Sequence, residues 1–401
     1  MMKKKGKMYR WKASVGNWLF TGLLTIGTQA LWAQVSHLQP EERATGNAVL
    51  WQRLAPYFSP PEVFSGELGE YRSPLVFENG KRVKNKKNWE KRRIEIREKW
   101  HGLMGKWPEM DKNPAYQILE TEKKDGFWQK KIRFDWVPGQ STTAYLLVPF
   151  DAANSAAVIT VYYEPETAAG LGKPELEHRD FALQLTKRGF VTLSLGTTET
   201  TENQTYAIYY PDIHNAQVEP LSMLAYAAAT SWHLLAGLPE VDAERIGIMG
   251  HSYGGKWAMF ASCLYDQFAA AVWSDPGIVF QQDRPSINYW EPWYLGYHPQ
   301  PWRKRGIPDA ENPALGLYPK LLEKNTDLHE LHVLMAPRPF LVSGGSEDPI
   351  ERWIPLNHSI QVNQLLGFDD RVGMTNRPEH APTAQSNEVI YDFFTYFLKT
   401  K

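Results

Sequence analysis

This 401-residue chain has one cysteine, almost no net charge and no uninterrupted apolar run of bilayer-spanning length. With Cys263 alone, an intrachain disulfide and a thiolate-rich metal site are both excluded. The 44 basic and 45 acidic side chains leave a formal net charge of −1, which offers no electrostatic footprint for nucleic acid. What is present is ordinary globular material: 43% hydrophobic and 22% charged residues exclude a disordered or collagen-like chain. Stability must come from a packed core, and this length is enough to bury one. Aromatic residues are plentiful, with 16 Trp, 19 Tyr and 17 Phe.

The near-neutral charge changes once the N-terminus is read. Lys3, Lys4, Lys5, Lys7, Arg10 and Lys12 precede an apolar stretch from Ala13 to Trp32, which Asn17, Thr21, Thr25, Thr28 and Gln29 interrupt. A basic region, a short apolar region and the small residue Ala33 describe a cleavable signal peptide over residues 1–33. The stretch is too short and too polar for a spanning helix, and no cysteine follows for a lipid anchor. The expected mature protein is secreted or periplasmic, with no membrane span. Without those six basic groups it carries 38 basic against 45 acidic side chains, a net charge of −7.

Residues 34–125 are rich in Pro, Gly and charge, with one helical signal at Asn88–Met104, and read as an N-terminal extension packing on the main domain. The basic tract Lys81–Arg93 within it reads as a solvated face. From 126 to 401 the pattern changes. A hairpin around Pro138-Gly139 leads into short apolar runs at Ala156–Tyr163, Phe190–Leu195, Arg245–Met249, Ala269–Trp273, Pro339–Val342 and Arg371–Met374, separated by helical segments. This alternation predicts an α/β class: a mostly parallel sheet covered by helices on both faces, on the α/β-hydrolase plan. A long aromatic insertion occupies about 278–328.

Gly250-His251-Ser252-Tyr253-Gly254 is a G-x-S-x-G sequence directly after the run Arg245–Met249 and before a helical segment. Glycines permit a strained strand-to-helix turn that lifts a serine oxygen above the sheet edge, so Ser252 is the expected nucleophile. The general base should follow the acid in sequence. His380, in the loop Arg377-Pro378-Glu379-His380-Ala381-Pro382, meets that requirement, whereas His358 falls inside a predicted helix. Two acids are candidates: Asp348, favoured for its place after Pro339–Val342, and Asp275, after Ala269–Trp273. Either could orient an imidazole. The expected oxyanion donors are the backbone N–H of Tyr253 and one from Tyr163 or Glu164, because Pro165 has none.

Over roughly Lys131–Lys399 the chain resembles the α/β-hydrolase esterases of bacterial polysaccharide degradation, especially glucuronoyl esterases and acetyl xylan esterase-like proteins. Gly250–Ala258, Leu334–Val342 and the His380 loop carry the likeness. Glucuronoyl esterases also place acids after both corresponding strands. The resemblance implies that Lys256 touches the sugar. It departs at Tyr253, where those enzymes usually have an arginine implicated in the oxyanion site. A guanidinium and a phenol are not equivalent there, so the resemblance carries ester hydrolysis across but not the glucuronate.

The aromatic side chains of the insertion, and those of Tyr206–Tyr210, form either a platform for sugar faces or the core of a lid. Trp290, Trp293 and Tyr210 are the ones expected to face a ligand. The sequence thus predicts an exported serine esterase acting on a carbohydrate ester, with no cofactor or metal. A prolyl oligopeptidase-like peptidase is the first alternative, although residues 34–125 are too few for a propeller domain. A catalytically silent glycan-binding protein is the second.

Overall fold

Apolar runs become strands and the segments between them helices in a computed structural model that describes residues 44–172, 174–197 and 206–399. The leader expected over residues 1–33 lies outside the described residues. The chain divides into two units, residues 1–48 and 49–401, and the second carries the features below.

Nine strands form one sheet in the order β1-β2-β3-β5-β4-β6-β7-β8-β9. They are β1 Tyr116–Lys123, β2 Phe127–Val137, β3 Gln140–Pro149, β4 Ser155–Tyr162, β5 Val191–Gly196, β6 Val241–His251, β7 Ala270–Ser274, β8 Phe340–Gly344 and β9 Val372–Asn376. The first three are antiparallel, β3 pairs antiparallel with β5, and β4 to β9 run parallel. The helices are α1 Ala44–Leu54, α2 Lys86–Met104, α3 Phe181–Lys187, α4 Pro220–Ala236, α5 Tyr253–Leu264, α6 Tyr318–Glu323, α7 His329–His332, α8 Trp353–Leu366 and α9 Ala384–Phe394.

The central strands lack polar alternation because both faces of the sheet are covered. On β4, Ala157, Ile159 and Val161 join a core shared with α2, α4, α5 and the aromatic insertion. Ala156 and Val158 point the other way, into a core with Phe181 and Leu185 of α3 and Ile390, Phe393 and Phe394 of α9. Successive side chains of a strand alternate faces, so a strand buried on both sides reads as a continuous apolar run. Strand β1 is the opposite case: all eight of its residues are exposed. The sequence places it in the N-terminal extension, and instead it forms one edge of the sheet beside β2.

Lys81, Arg82, Lys84, Lys86, Lys87 and Lys91 form the expected solvated face, and helix α2 departs from it only at Arg92 and Arg93. Asn85 caps it by accepting from Asn88 N at 2.9 Å, and Trp89, Ile96, Trp100 and Met104 face the core. Arg92 and Arg93 are buried with them. The Arg93 guanidinium meets Asp266 at 2.5 Å, and Lys99 meets the buried Glu330 at 2.6 Å. Local acids, Glu78 and Glu95 against Arg92, and distant ones, Asp266 against Arg93 and Glu330 against Lys99, together neutralise the buried cations of this helix.

Candidate active site

Strand β6 ends in the turn that carries Ser252, and α5 begins at the next residue. The turn is tight enough to require both flanking glycines. A Cβ on Gly250 would lie 2.2 Å from the Gly254 carbonyl oxygen, and one on Gly254 would lie 2.0 Å from that of Val161 on β4. Ser252 itself sits at φ 57°, a conformation side-chain-bearing residues seldom adopt. Its N–H donates to Ser274 O at 2.7 Å, tying the turn to β7.

The acid comes from the end of β7 and the histidine from the loop after β9, with β8 between the two strands. His380 Nε2 lies 2.8 Å from Ser252 Oγ, and His380 Nδ1 lies 2.7 Å from Asp275 Oδ2. Arg377 holds the His380 loop in place. Its guanidinium donates to Ser343 O at 2.8 Å on β8, and to His380 O at 2.7 Å and Ala381 O at 2.8 Å within the loop. His251 packs its ring 4.7 Å from that of His380. Burial, and then the neighbouring His380, hold the His251 imidazole well below its ordinary pKa, so it packs as a neutral ring.

The acid against His380 is thus Asp275, not the favoured Asp348. The reason is local backbone geometry: Asp275 at φ 52° and Gly277 at φ 76° turn the chain sharply after β7 and bring the Asp275 carboxylate to the imidazole. Its Oδ1 also accepts from Gly345 N at 2.7 Å and Asp348 N at 2.8 Å. The Asp348 carboxylate faces the β7 loop, accepting from Gly277 N at 2.8 Å and Ile278 N at 2.6 Å, with Arg352 at 3.5 Å. Burial and then the adjacent Asp275 charge push the Asp348 carboxyl up to about 6.

Lys256, for which the resemblance implies a sugar contact, is engaged within the protein. It is buried, with Nζ 3.2 Å from Ser286 O and lying over the rings of Tyr289 and Tyr294 at 5.2 and 5.7 Å. Burial lowers its pKa to about 8, opposed by Asp348, Glu347 and Asp275. Trp290 and Trp293 are not presented to a ligand. Trp290 is fully buried with Nε1 on Gly306 O at 2.9 Å, and Trp293 is buried beneath the Arg305 guanidinium, 4.6 Å from its ring. These rings form the core of the insertion, because folding so aromatic a segment requires them to cover one another. Tyr210 alone of the three remains half-buried.

Two further segments close around Tyr253. Its buried hydroxyl donates to Tyr206 O at 2.5 Å and Thr197 Oγ1 at 3.2 Å. From the insertion, the Tyr294 ring comes to 6.3 Å. The Tyr297 hydroxyl joins the two segments by donating to Ile213 O and accepting from Ala216 N, both at 2.9 Å. Sequence reasoning missed His251, Arg377 and the Tyr297 bridge. The G-x-S-x-G spacing marks His251 only as a variable position, and nothing local marks the other two.

A parallel sheet with a serine on a sharp turn after β6, and an acid and a histidine after β7 and β9, defines an α/β-hydrolase. The chain belongs to the Abhydrolase family, whose model matches residues 57–350. None of the curated proteins compared with it matches. Among solved structures, a glucuronoyl esterase from Solibacter usitatus superposes with a TM-score of 0.64 at 16% identity, over 81% of this chain and 97% of that one. A carbohydrate esterase family 15 glucuronoyl esterase from Caldicellulosiruptor kristjansonii gives 0.60 at 19%, over 85% and 93%. A putative acetyl xylan esterase from Bacteroides fragilis gives 0.53 at 17%, over 84% and 83%. At these identities the likeness establishes the fold. Among the described residues, no helix is long and apolar enough to cross a membrane.

Proposed function

We propose that this protein is an exported serine esterase that cleaves ester groups on a complex carbohydrate. The observation that carries the reading is the hydrogen-bonded relay from Ser252 Oγ through His380 to the buried Asp275. His380 Nε2 takes the Ser252 proton as Oγ attacks the ester carbonyl, and returns it to the departing alkoxide, which leaves as an alcohol. Asp275 holds the imidazole in the required tautomer and stabilises its cation. Water, deprotonated by the same nitrogen, then releases the acid from the acyl-enzyme. Tyr253 N–H, at the start of α5, is a suitable donor to the oxyanion. Carbohydrate esters as the substrate class follow from the glucuronoyl and acetyl xylan esterases that share the fold. Export follows from the basic and apolar leader.

The test is hydrolysis of p-nitrophenyl acetate, then of a panel of acetylated and methyl-esterified glycans read by mass spectrometry. Activity should disappear in Ser252→Ala and His380→Ala. A wild type no faster than those variants on every ester defeats the reading.

A further inference from the structure

A tetrahedral oxyanion is best stabilised by at least two fixed donors, and Tyr253 N–H is one. The second must come from the end of β4, which lies directly against the nucleophile turn: the Gly254 backbone leaves no room for a Cβ before Val161 O. The residue after β4 in that position is Tyr163, and its side chain, not only its backbone, is turned towards Ser252. Its ring stacks on that of Tyr253 with centroids 4.7 Å apart and planes 20° apart. Tyr162 and Tyr206 hold its edges at 4.9 and 5.1 Å. Its phenol has the Ser252 hydroxyl as a polar neighbour. Tyr163 is half-buried, whereas the Tyr253 hydroxyl is committed to Tyr206 O and Thr197 Oγ1. The buried Lys256 ammonium is committed to Ser286 O and two rings.

We infer that the Tyr163 hydroxyl is a catalytic oxyanion donor, acting with Tyr253 N–H on the carbonyl oxygen of the ester. The inference rests on the esterase reading. In the resting site Ser252 Oγ is paired with His380, and the phenol lies beside it. As Oγ bonds to the carbonyl carbon and its proton passes to His380, the carbonyl π pair moves to oxygen, and the phenol O–H donates to that oxygen. When the pair returns, the carbon–alkoxide bond breaks and the His380 proton goes to the leaving oxygen. The phenol keeps its own proton throughout, because burial, reinforced by the neighbouring tyrosines, raises its pKa above the ordinary tyrosine value.

The test begins with labelling by a fluorophosphonate, which reports an activated Ser252. An unlabelled wild type overturns the esterase reading itself, whatever Tyr163 does. In a labelled and active enzyme, Tyr163→Phe keeps the stacked ring and removes only the donor. We expect kcat on p-nitrophenyl acetate to fall about 10²- to 10³-fold with KM within about threefold. Affinity for a trifluoromethyl ketone, which forms the tetrahedral adduct, should fall in proportion. Unchanged kcat overturns the inference. So does a fall in kcat with unchanged ketone affinity, which would leave the hydroxyl only a positioning role on Ser252. If Y163F does not fold, a fluorinated tyrosine at 163 preserves the shape with a more acidic phenol. It should introduce a new alkaline loss of kcat, and an unaltered pH profile overturns the inference.

Discussion

Asp275 and Asp348 each bind the backbone that carries the other. Asp275 Oδ1 accepts from Asp348 N at 2.8 Å, and the Asp348 carboxylate accepts from Gly277 N and Ile278 N, two and three residues past Asp275. Only Asp275 then has an oxygen on His380. The two acids therefore divide between orienting the imidazole and fixing the loop that does so.

Exchanging them separately should give opposite signatures. Asp275→Asn should lower kcat by about 10³- to 10⁴-fold, because the wrong imidazole tautomer is then held. Asp348→Asn replaces one of the two accepting oxygens with an N–H donor, leaving one of the buried Gly277 and Ile278 N–H groups without its acceptor, and should cost about 1–3 kcal/mol of stability, while much of kcat survives below the melting transition. Steady-state kinetics paired with thermal melts separates the two, and a D348N loss of kcat equal to that of D275N contradicts the division.

Arg377→Ala should loosen the His380 loop without touching substrate. The expected result is a fall in kcat of about 10- to 100-fold with little change in KM, since a small displacement of a catalytic group costs this much. Melting temperature should fall as well, because the buried Ser343 carbonyl loses the guanidinium donor. Arg377→Lys should recover part of kcat, and a KM effect without a kcat effect would place Arg377 in substrate binding instead.

Lys256→Met tests whether the lysine is an internal strut or a sugar contact. KM for glycan esters should stay within about twofold of wild type if the buried ammonium touches no substrate. The pH dependence gives a second reading. The unfolded chain holds this proton up to the ordinary lysine pKa near 10.4 and the folded protein releases it near 8, so the wild type gains stability relative to K256M as pH rises from about 8 towards 10. Melts of both proteins across that range should diverge in that direction.

His332 predicts acid sensitivity. It is wholly buried on α7, its ring 5.1 Å from Trp273, and neither ring nitrogen has a hydrogen-bond partner among the described residues. Burial, and then the nearby His329 and His358, hold its pKa well below the usual value. The unfolded chain takes up this proton near pH 6.5 and the folded protein does not, so stability is lost as pH falls below about 6.5, at about 1.4 kcal/mol per unit until the folded group titrates. His332→Leu should abolish that part of the slope, seen as melting curves that separate from wild type between pH 6.5 and 5.

The parts of the site legible in the sequence are those encoded by local necessity. Gly250 and Gly254 are forced by backbone approach, Ser252 by the turn between them, and His380 by its loop after the last apolar run. The parallel strands are legible because burial on both faces leaves uninterrupted Val, Ile, Leu and Ala. The choice between Asp275 and Asp348 is not local: both follow buried strands, and only the positive φ of Asp275 turns its carboxylate to the imidazole. Strand β1 escaped notice because an edge exposed along its whole length has no pattern to read. The burial of Arg93 is not legible locally because its partner Asp266 lies far along the chain, and that of Arg92 depends on Glu78 and Glu330 as well as the neighbouring Glu95. The aromatic rings of the insertion were visible, but their direction depends on what covers them.

The Tyr297 hydroxyl fastens the insertion to the loop carrying Ile213 and Ala216 at two points, and both segments reach Tyr253, through Tyr206 O and the Tyr294 ring. Two jaws pinned together cannot adjust separately to a guest. Selection among leaving alcohols should therefore work as a gauge of fixed bore, admitting esters by cross-section, and cutting the pin with Tyr297→Phe should broaden the range of alcohols accepted before it alters the rate on the smallest.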